Sequence, residues 1–157
     1  MKKRPYIIAF FFLMIDFFSK YIISHLLTLG ESVKVINNFF YLTYVHNKGA
    51  AWSILEDQRI LLLIITVIVL FLINKYMNKE ELIKSECLSY GIIIGGILGN
   101  LVDRIFRGYV IDFLDFKIFG YNYPVFNLAD SFIVIGIIIM VIISIRKENH
   151  EGNSSRR

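Results

Sequence analysis

The stretch GGILGNLVDRIFRGYVIDFLDFKIFGYNYPVFNLAD, residues 95–130, carries Asn100, Asp103, Arg104, Asp112, Asp115, Asn127 and Asp130. It begins inside one apolar run and ends inside the next, so these amides and charges fall in or beside hydrocarbon, where they are costly. The chemistry such a set can do is that of paired carboxylates. Two aspartates a few ångströms apart cannot both ionise easily, so one pKa rises and the pair shares a proton. One member is then a general base for a water. The other, protonated, hydrogen-bonds a carbonyl and helps an amine leave. Asp112 and Asp130 are the expected pair, because both fall near the same boundary of the apolar segments. Asp115, in DFLDF, competes for that role and reads better as a loop or structural residue.

Other polar residues stand around this pair. Asp16 and Lys20, at i and i+4 in DFFSK, share a helix face inside an apolar segment; they can pair with each other or orient a site. Asn47 and Gly49, in HNKGAAW, read as a turn whose amide can face a bound peptide. Asn100, Asp103 and Arg104 lie at i, i+3 and i+4, on one face; a polar network is the better reading for Asp103, and Asn100 and Arg104 can serve it or a substrate. Asn127 precedes Asp130 by three residues, again on one face. His25, His46 and His150 are isolated, so no metal site is expected. The single cysteine, Cys87, opens an apolar run and reads as a packed thiol. No cofactor is required by a carboxylate pair acting on water.

These residues need elements to position them, and composition says which kind. The chain has 157 residues, 56% of them apolar and 15% aromatic, with a mean hydropathy of +0.61. The apolar share is concentrated in blocks such as ILLLIITVIVLFLI, which points to a single membrane-embedded domain. The net charge of +4 does not indicate nucleic acid, because the basic residues sit at segment ends, as membrane-flanking charges do.

Four spans are expected, over about 6–27, 57–76, 87–105 and 124–145. The first resembles a secretory signal peptide at its start, but lacks a small-residue cleavage site and continues past Asp16 and Lys20. Between the first two spans, residues 28–56, VKVINNFFYLTYVHN is rich in β-branched and aromatic residues and predicts short strands. GAAWSIL there predicts a short helix in the interface, with Trp52 at headgroup level. Residues 106–123 read as a second loop, and the tail 146–157 as polar and without order. The Lys and Arg bias favours both termini in the cytoplasm, with the two large loops and the Asp112–Asp130 pair facing outward.

Taken together, DFFSK, NKGAAW, GGILGNLVDR, VIDFLDF and FNLAD resemble the motif set of the bacterial prolipoprotein signal peptidases, signal peptidase II. The likeness runs in order from Asp16 to Asp130. It implies an all-α polytopic membrane protein of four transmembrane helices, with a small extracytoplasmic β-structure and a short interfacial helix. It further implies a cell-membrane aspartic endopeptidase with Asp112 and Asp130 catalytic. Asp16, Lys20, Asn47, Gly49, Asn100, Asp103, Arg104 and Asn127 fall on positions that support the site or bind substrate. The implied partners are membrane lipid and a prolipoprotein whose lipobox cysteine carries diacylglycerol, cut just before that cysteine; no obligate protein partner is implied. The β-rich loop is then expected to close over the site. One departure is Phe17 and Phe18, where relatives commonly carry polar residues. The rival reading is a small proton-coupled transporter or channel subunit using Asp16, Lys20 and Asp130 as a relay, although no inverted repeat is visible; a non-catalytic assembly factor is a third.

Overall fold

A computed structural model describes residues 3–49, 54–79 and 81–154. Four helices, α1 (Arg4–Leu26), α2 (Arg59–Lys79), α3 (Lys84–Phe106) and α4 (Leu128–Ser154), are joined by four strands. The strands are β1 (Ser32–Ile36), β2 (Phe40–Asn47), β3 (Val110–Ile118) and β4 (Tyr121–Asn122). Each helix is long and apolar enough to cross a membrane, α4 over Leu128–Lys147.

The helices differ in what they bury. On α3, twelve residues are buried, among them Gly91, Gly95, Gly96 and Gly99, whereas α2 buries only Leu62 and Met77. Helix α3 is therefore the hub, packed between α1 and α4, with α2 at its side. Its glycines explain why. A Cβ on Gly91 would lie 2.5 Å from the Ile8 Cβ, and one on Gly95 would lie 2.8 Å from the Ala9 carbonyl oxygen. The stripe at i, i+4 and i+8 thus admits the α1 backbone, while Gly96 faces the Ala129 carbonyl and Ile133 of α4. Gly136 of α4 answers from the other side, where a Cβ would meet the Ser89 carbonyl at 3.1 Å. Small residues allow this approach in lipid, where dispersion contacts hold helices together. Apolar side chains left outside the bundle, such as Ile7, Phe10, Ile64 and Phe71, face the membrane.

The sheet has the order β1–β2–β3–β4, antiparallel at every pairing. Its longest pairing joins β2 to β3, from Phe40 opposite Phe116 to Asn47 opposite Val110, with a bulge between Leu42 and Val45. One face packs Tyr44, Ile111 and Phe113 on Ile23 of α1.

The structure corrects the sequence reading in three places. Residues 110–122, expected as a loop, are β3 and β4, so Asp112 sits within a strand and not on a connection. The strand is bounded by Gly108 and Gly120, both at positive φ, and its apolar and aromatic positions suit a half-buried pleat once β2 is beside it. Helix α4 begins at Leu128 rather than near 124, because Phe126 bridges to Leu114 in the sheet before the helix can start. The polar tail expected to lack order continues α4 as far as Ser154. The interfacial helix expected around Trp52 falls largely on 50–53, outside the described residues; Ile54–Asp57 form a turn.

Candidate active site

Both aspartates are placed by local structure at the junction of sheet and bundle. Asp112 points from β3 to the face shared with Val110, Phe116 and Ile118, all lining one cleft. Asp115, three residues on, takes the opposite face by strand alternation and accepts a hydrogen bond from Thr43 Oγ1 at 2.7 Å. It stands apart from the pair.

Asp130 is the third residue of α4, and its place follows from how that helix begins. Asn127 Oδ1 accepts from the Asp130 N–H at 3.0 Å, and Asp130 Oδ2 accepts from the Asn127 N–H at 3.2 Å. This reciprocal capping box satisfies donors that a helix start leaves open. A third cap comes from a distance: Asp16 Oδ1 accepts from the Ala129 N–H at 2.9 Å. The bridge between Leu114 and Phe126 holds Asn127 beside β3.

Asn127 then joins the two aspartates. Its Nδ2 donates to Asp112 Oδ1 at 2.6 Å and to Asn100 Oδ1 at 3.1 Å. Asn100 Nδ2 in turn donates to Asp130 Oδ1 at 2.7 Å. The second oxygen of Asp112 accepts from Asn47 Nδ2 at 2.8 Å, while Asn47 Oδ1 accepts from the Gly49 N–H at 2.9 Å in the expected turn. Each aspartate oxygen therefore has a donor, supplied by three residues: Asn47, Asn100 and, once to each aspartate, Asn127.

Below this layer lies a buried charge cluster. Lys20 Nζ reaches Asp16 Oδ2 at 2.7 Å, Asp103 Oδ2 at 3.0 Å and Asn100 Oδ1 at 3.0 Å. The Lys20 and Asp16 residues are each 1% exposed. Two carboxylates around one ammonium leave a negative balance, which Arg107 offsets through Nε to Asp103 Oδ1 at 3.0 Å. Asp103 Oδ2 also accepts from the Ile111 N–H at 3.3 Å, next to Asp112 in the chain. Close fitting continues at Gly99, where a Cβ would collide with Asp16 Oδ2.

Arg104 faces the cleft instead. Its Nη2 donates to the Gly49 carbonyl at 2.9 Å, tying the end of β2 to α3. The cleft has a volume of about 860 Å³ and contains Asn47, Asn100, Arg104, Asp112 and Asp130 at its polar end. Its remaining wall is apolar, from Phe39, Phe116, Tyr123 and Phe126 to Val134 and Ile135. The last two are exposed on α4, so the cleft reaches the surface that faces lipid. Sequence reasoning expected the β-rich loop and its aromatics over the site but missed the contribution of Phe116 and Phe126; these pack ring to ring with Phe39, and the pairing of β2 with β3 aligns them.

Electrostatics separate Asp112 from an ordinary aspartate. Burial, and then the charge of Asp130, push its carboxyl up to about 7, against the Asn47 and Asn127 amides, which favour the ionised form. His46 lies on the other side of the sheet, bonded to the Tyr44 hydroxyl at 2.9 Å and stacked on Tyr109 at 3.6 Å. Among the described residues, no group of three or more His, Cys, Asp or Glu side chains is disposed to hold a metal ion. Phe17 and Phe18, the departure within DFFSK, are exposed on α1 and take no part in the cluster.

The geometry can now be set beside known proteins. A bacterial membrane enzyme solved in meso at 2.3 Å resolution is 35% identical, with a TM-score of 0.85, over 93% of this chain and 90% of that one. A second, solved in meso at 1.9 Å, is 37% identical with a TM-score of 0.79, over 88% and 90%. The family model for signal peptidase (SPase) II matches residues 8–146. A match over so much of the chain decides the family: this multi-pass membrane protein belongs to signal peptidase II, a family of aspartic peptidases that process lipoproteins.

Proposed function

We infer that the chain is an endopeptidase that removes the signal peptide from diacylglyceryl-modified prolipoproteins, cutting just before the modified cysteine, with Asp112 and Asp130 as its catalytic dyad. The observation that carries this reading is the shared hydrogen-bond system in which Asn127 touches Asp112 and caps the helix bearing Asp130.

The chemistry follows from the asymmetry of the pair. Burial and the charge of Asp130 push the Asp112 carboxyl up to about 7, and on that ground we assign Asp112 the pair's proton and Asp130 the part of base. Asp130 takes a proton from water as the water oxygen attacks the scissile carbonyl carbon. Asp112 gives its proton to the carbonyl oxygen, forming a tetrahedral diol. On collapse, Asp112 recovers that proton while Asp130 passes its own to the departing nitrogen, which becomes the new amino terminus on the lipidated cysteine. Arg104 and Asn47 border the same space and orient the peptide entering it.

A substrate anchored by acyl chains must arrive from the side, and an apolar cleft reaching the exposed face of α4 suits that approach. We place the sheet and the cleft mouth on the extracytoplasmic side, with both termini in the cytoplasm, on the distribution of Lys and Arg. Lys20 and Asp16 are closed within the bundle by their own partners, an arrangement that speaks against a proton relay through them.

The test compares two peptides in liposomes holding the purified chain, with a chelator present. One carries the lipobox cysteine modified with diacylglycerol, the other the free thiol. Cleavage before the cysteine of the first alone supports the reading. Equal cleavage of both, or none, contradicts it.

A further inference from the structure

We propose that the tip of the β3–β4 hairpin is a membrane anchor that inserts Phe119 into the interfacial layer of the leaflet on the sheet's side. The two-residue turn between Ile118 and Tyr121 holds Phe119 at φ +50° and Gly120 at φ +80°. Positive φ at both central positions is the type I′ pattern, which asparagine, aspartate and glycine tolerate and a bulky aromatic resists. The other hairpin of the same sheet, a three-residue connection between β1 and β2, places an asparagine, Asn38, at its positive-φ position, at +56°. The chain thus places a phenylalanine where backbone conformation disfavours it, and leaves the ring fully exposed.

Its neighbours share that exposure. Ile118, Tyr121 and Tyr123 are all exposed, making one apolar and aromatic tip. Water is a poor environment for such a cluster, whereas the membrane interface is where aromatic rings with polar ends collect. The bilayer is already implied by the four helices, and the tip is continuous with it. Ile118 and Tyr123 form one cleft wall together with Val134 and Ile135, which are exposed on the spanning part of α4. Only four residues, 124–127, separate the end of the hairpin segment at Tyr123 from the first residue of that span. Below the tip, Lys117 holds its ammonium 4.4 Å from the Tyr41 ring centre, giving the apolar tip a basic stem suited to headgroups.

Fluorescence tests this without reference to catalysis. Phe119→Trp is reconstituted in phosphatidylcholine–phosphatidylglycerol vesicles, and the signal of the parent chain, whose one tryptophan is Trp52, is subtracted. Insertion requires that the added emission be blue-shifted, lost to phosphatidylcholine brominated at shallow acyl positions, and resistant to aqueous acrylamide. Emission lost to acrylamide and untouched by brominated lipid overturns the proposal. So does blue-shifted emission that neither quencher reaches, which would point to a protein partner or a second copy on the tip. Tyr121→Trp, on a regular strand position, is read by the same criteria if Phe119→Trp does not fold.

Discussion

The Asn127 amide nitrogen stands 2.6 Å from Asp112 Oδ1, and the same side chain caps the helix whose third residue is Asp130. One residue thus sets the position of both carboxylates, one through a side-chain bond and the other through the start of a helix. Replacing it disturbs the two together. Asn127→Ala should lower the cleavage rate by about 10²-fold, the scale of a small misplacement of reacting groups. Loss of the cap should cost about 1 kcal/mol of stability. Steady-state cleavage and thermal unfolding of the same detergent-solubilised sample measure both.

The buried ammonium of Lys20 balances Asp16 and Asp103 and supports Asn100. Lys20→Met leaves two carboxylates without that charge, and breaking a buried ion pair from one side costs roughly 3–5 kcal/mol. A large fall in unfolding temperature is expected. Adding Asp16→Asn to Lys20→Met should recover part of it, because the two changes act on one network. Simple addition of the two losses would show that the residues are not coupled.

A carboxyl raised to about 7 by burial and by Asp130 ties both activity and stability to pH. On the proposed mechanism the dyad works with one proton, so activity should fall as pH rises through about 7, when Asp112 ionises. The folded chain also holds that proton more tightly than the unfolded chain. The stability this supplies is complete below the ordinary value of 3.8 and is lost progressively as pH climbs to about 7. At most about 4 kcal/mol is involved. Unfolding temperature measured from pH 5 to pH 8 should decline for the parent chain, and the slope should flatten in Asp112→Asn.

At Gly99 the bundle has no room for a methyl group beside Asp16 and the Ala129 side chain. Gly99→Ala should destabilise by about 1–3 kcal/mol, the usual cost of overpacking. It should also slow cleavage, since Asp16 caps the Asp130 helix. A variant as stable and active as the parent would show that α1 and α4 can move apart freely.

Much of this was legible in the residues. Runs such as Ile60–Ile73, short for a span by themselves, mark one by their unbroken apolar character once extended at the ends, and Asp112 and Asp130 stood out as carboxylates at matching depth. The strand β3 was harder to see. Its aspartates at 112 and 115 interrupt the apolar pattern, and strand alternation, once known, is what sends Asp115 to Thr43 and Asp112 to the cleft. The contacts of Lys20 with Asp103 and Asn100 span about eighty residues of sequence and follow only from the close packing of α1 on α3. No local signal marks the bridge from Phe126 to Leu114, which delays α4 to Leu128.

The dyad is most directly tested by cleavage of the diacylglyceryl-modified lipobox peptide by the parent chain, Asp112→Asn, Asp130→Asn and Asp115→Asn, each in liposomes with a chelator present. Asp112→Asn and Asp130→Asn should remain folded and lose activity by at least about 10³-fold, as expected when a group that acts in every turnover is removed. Asp115→Asn, on the other face of the sheet, should retain most of it. Near-parental cleavage by either of the first two variants would contradict the assignment of the pair.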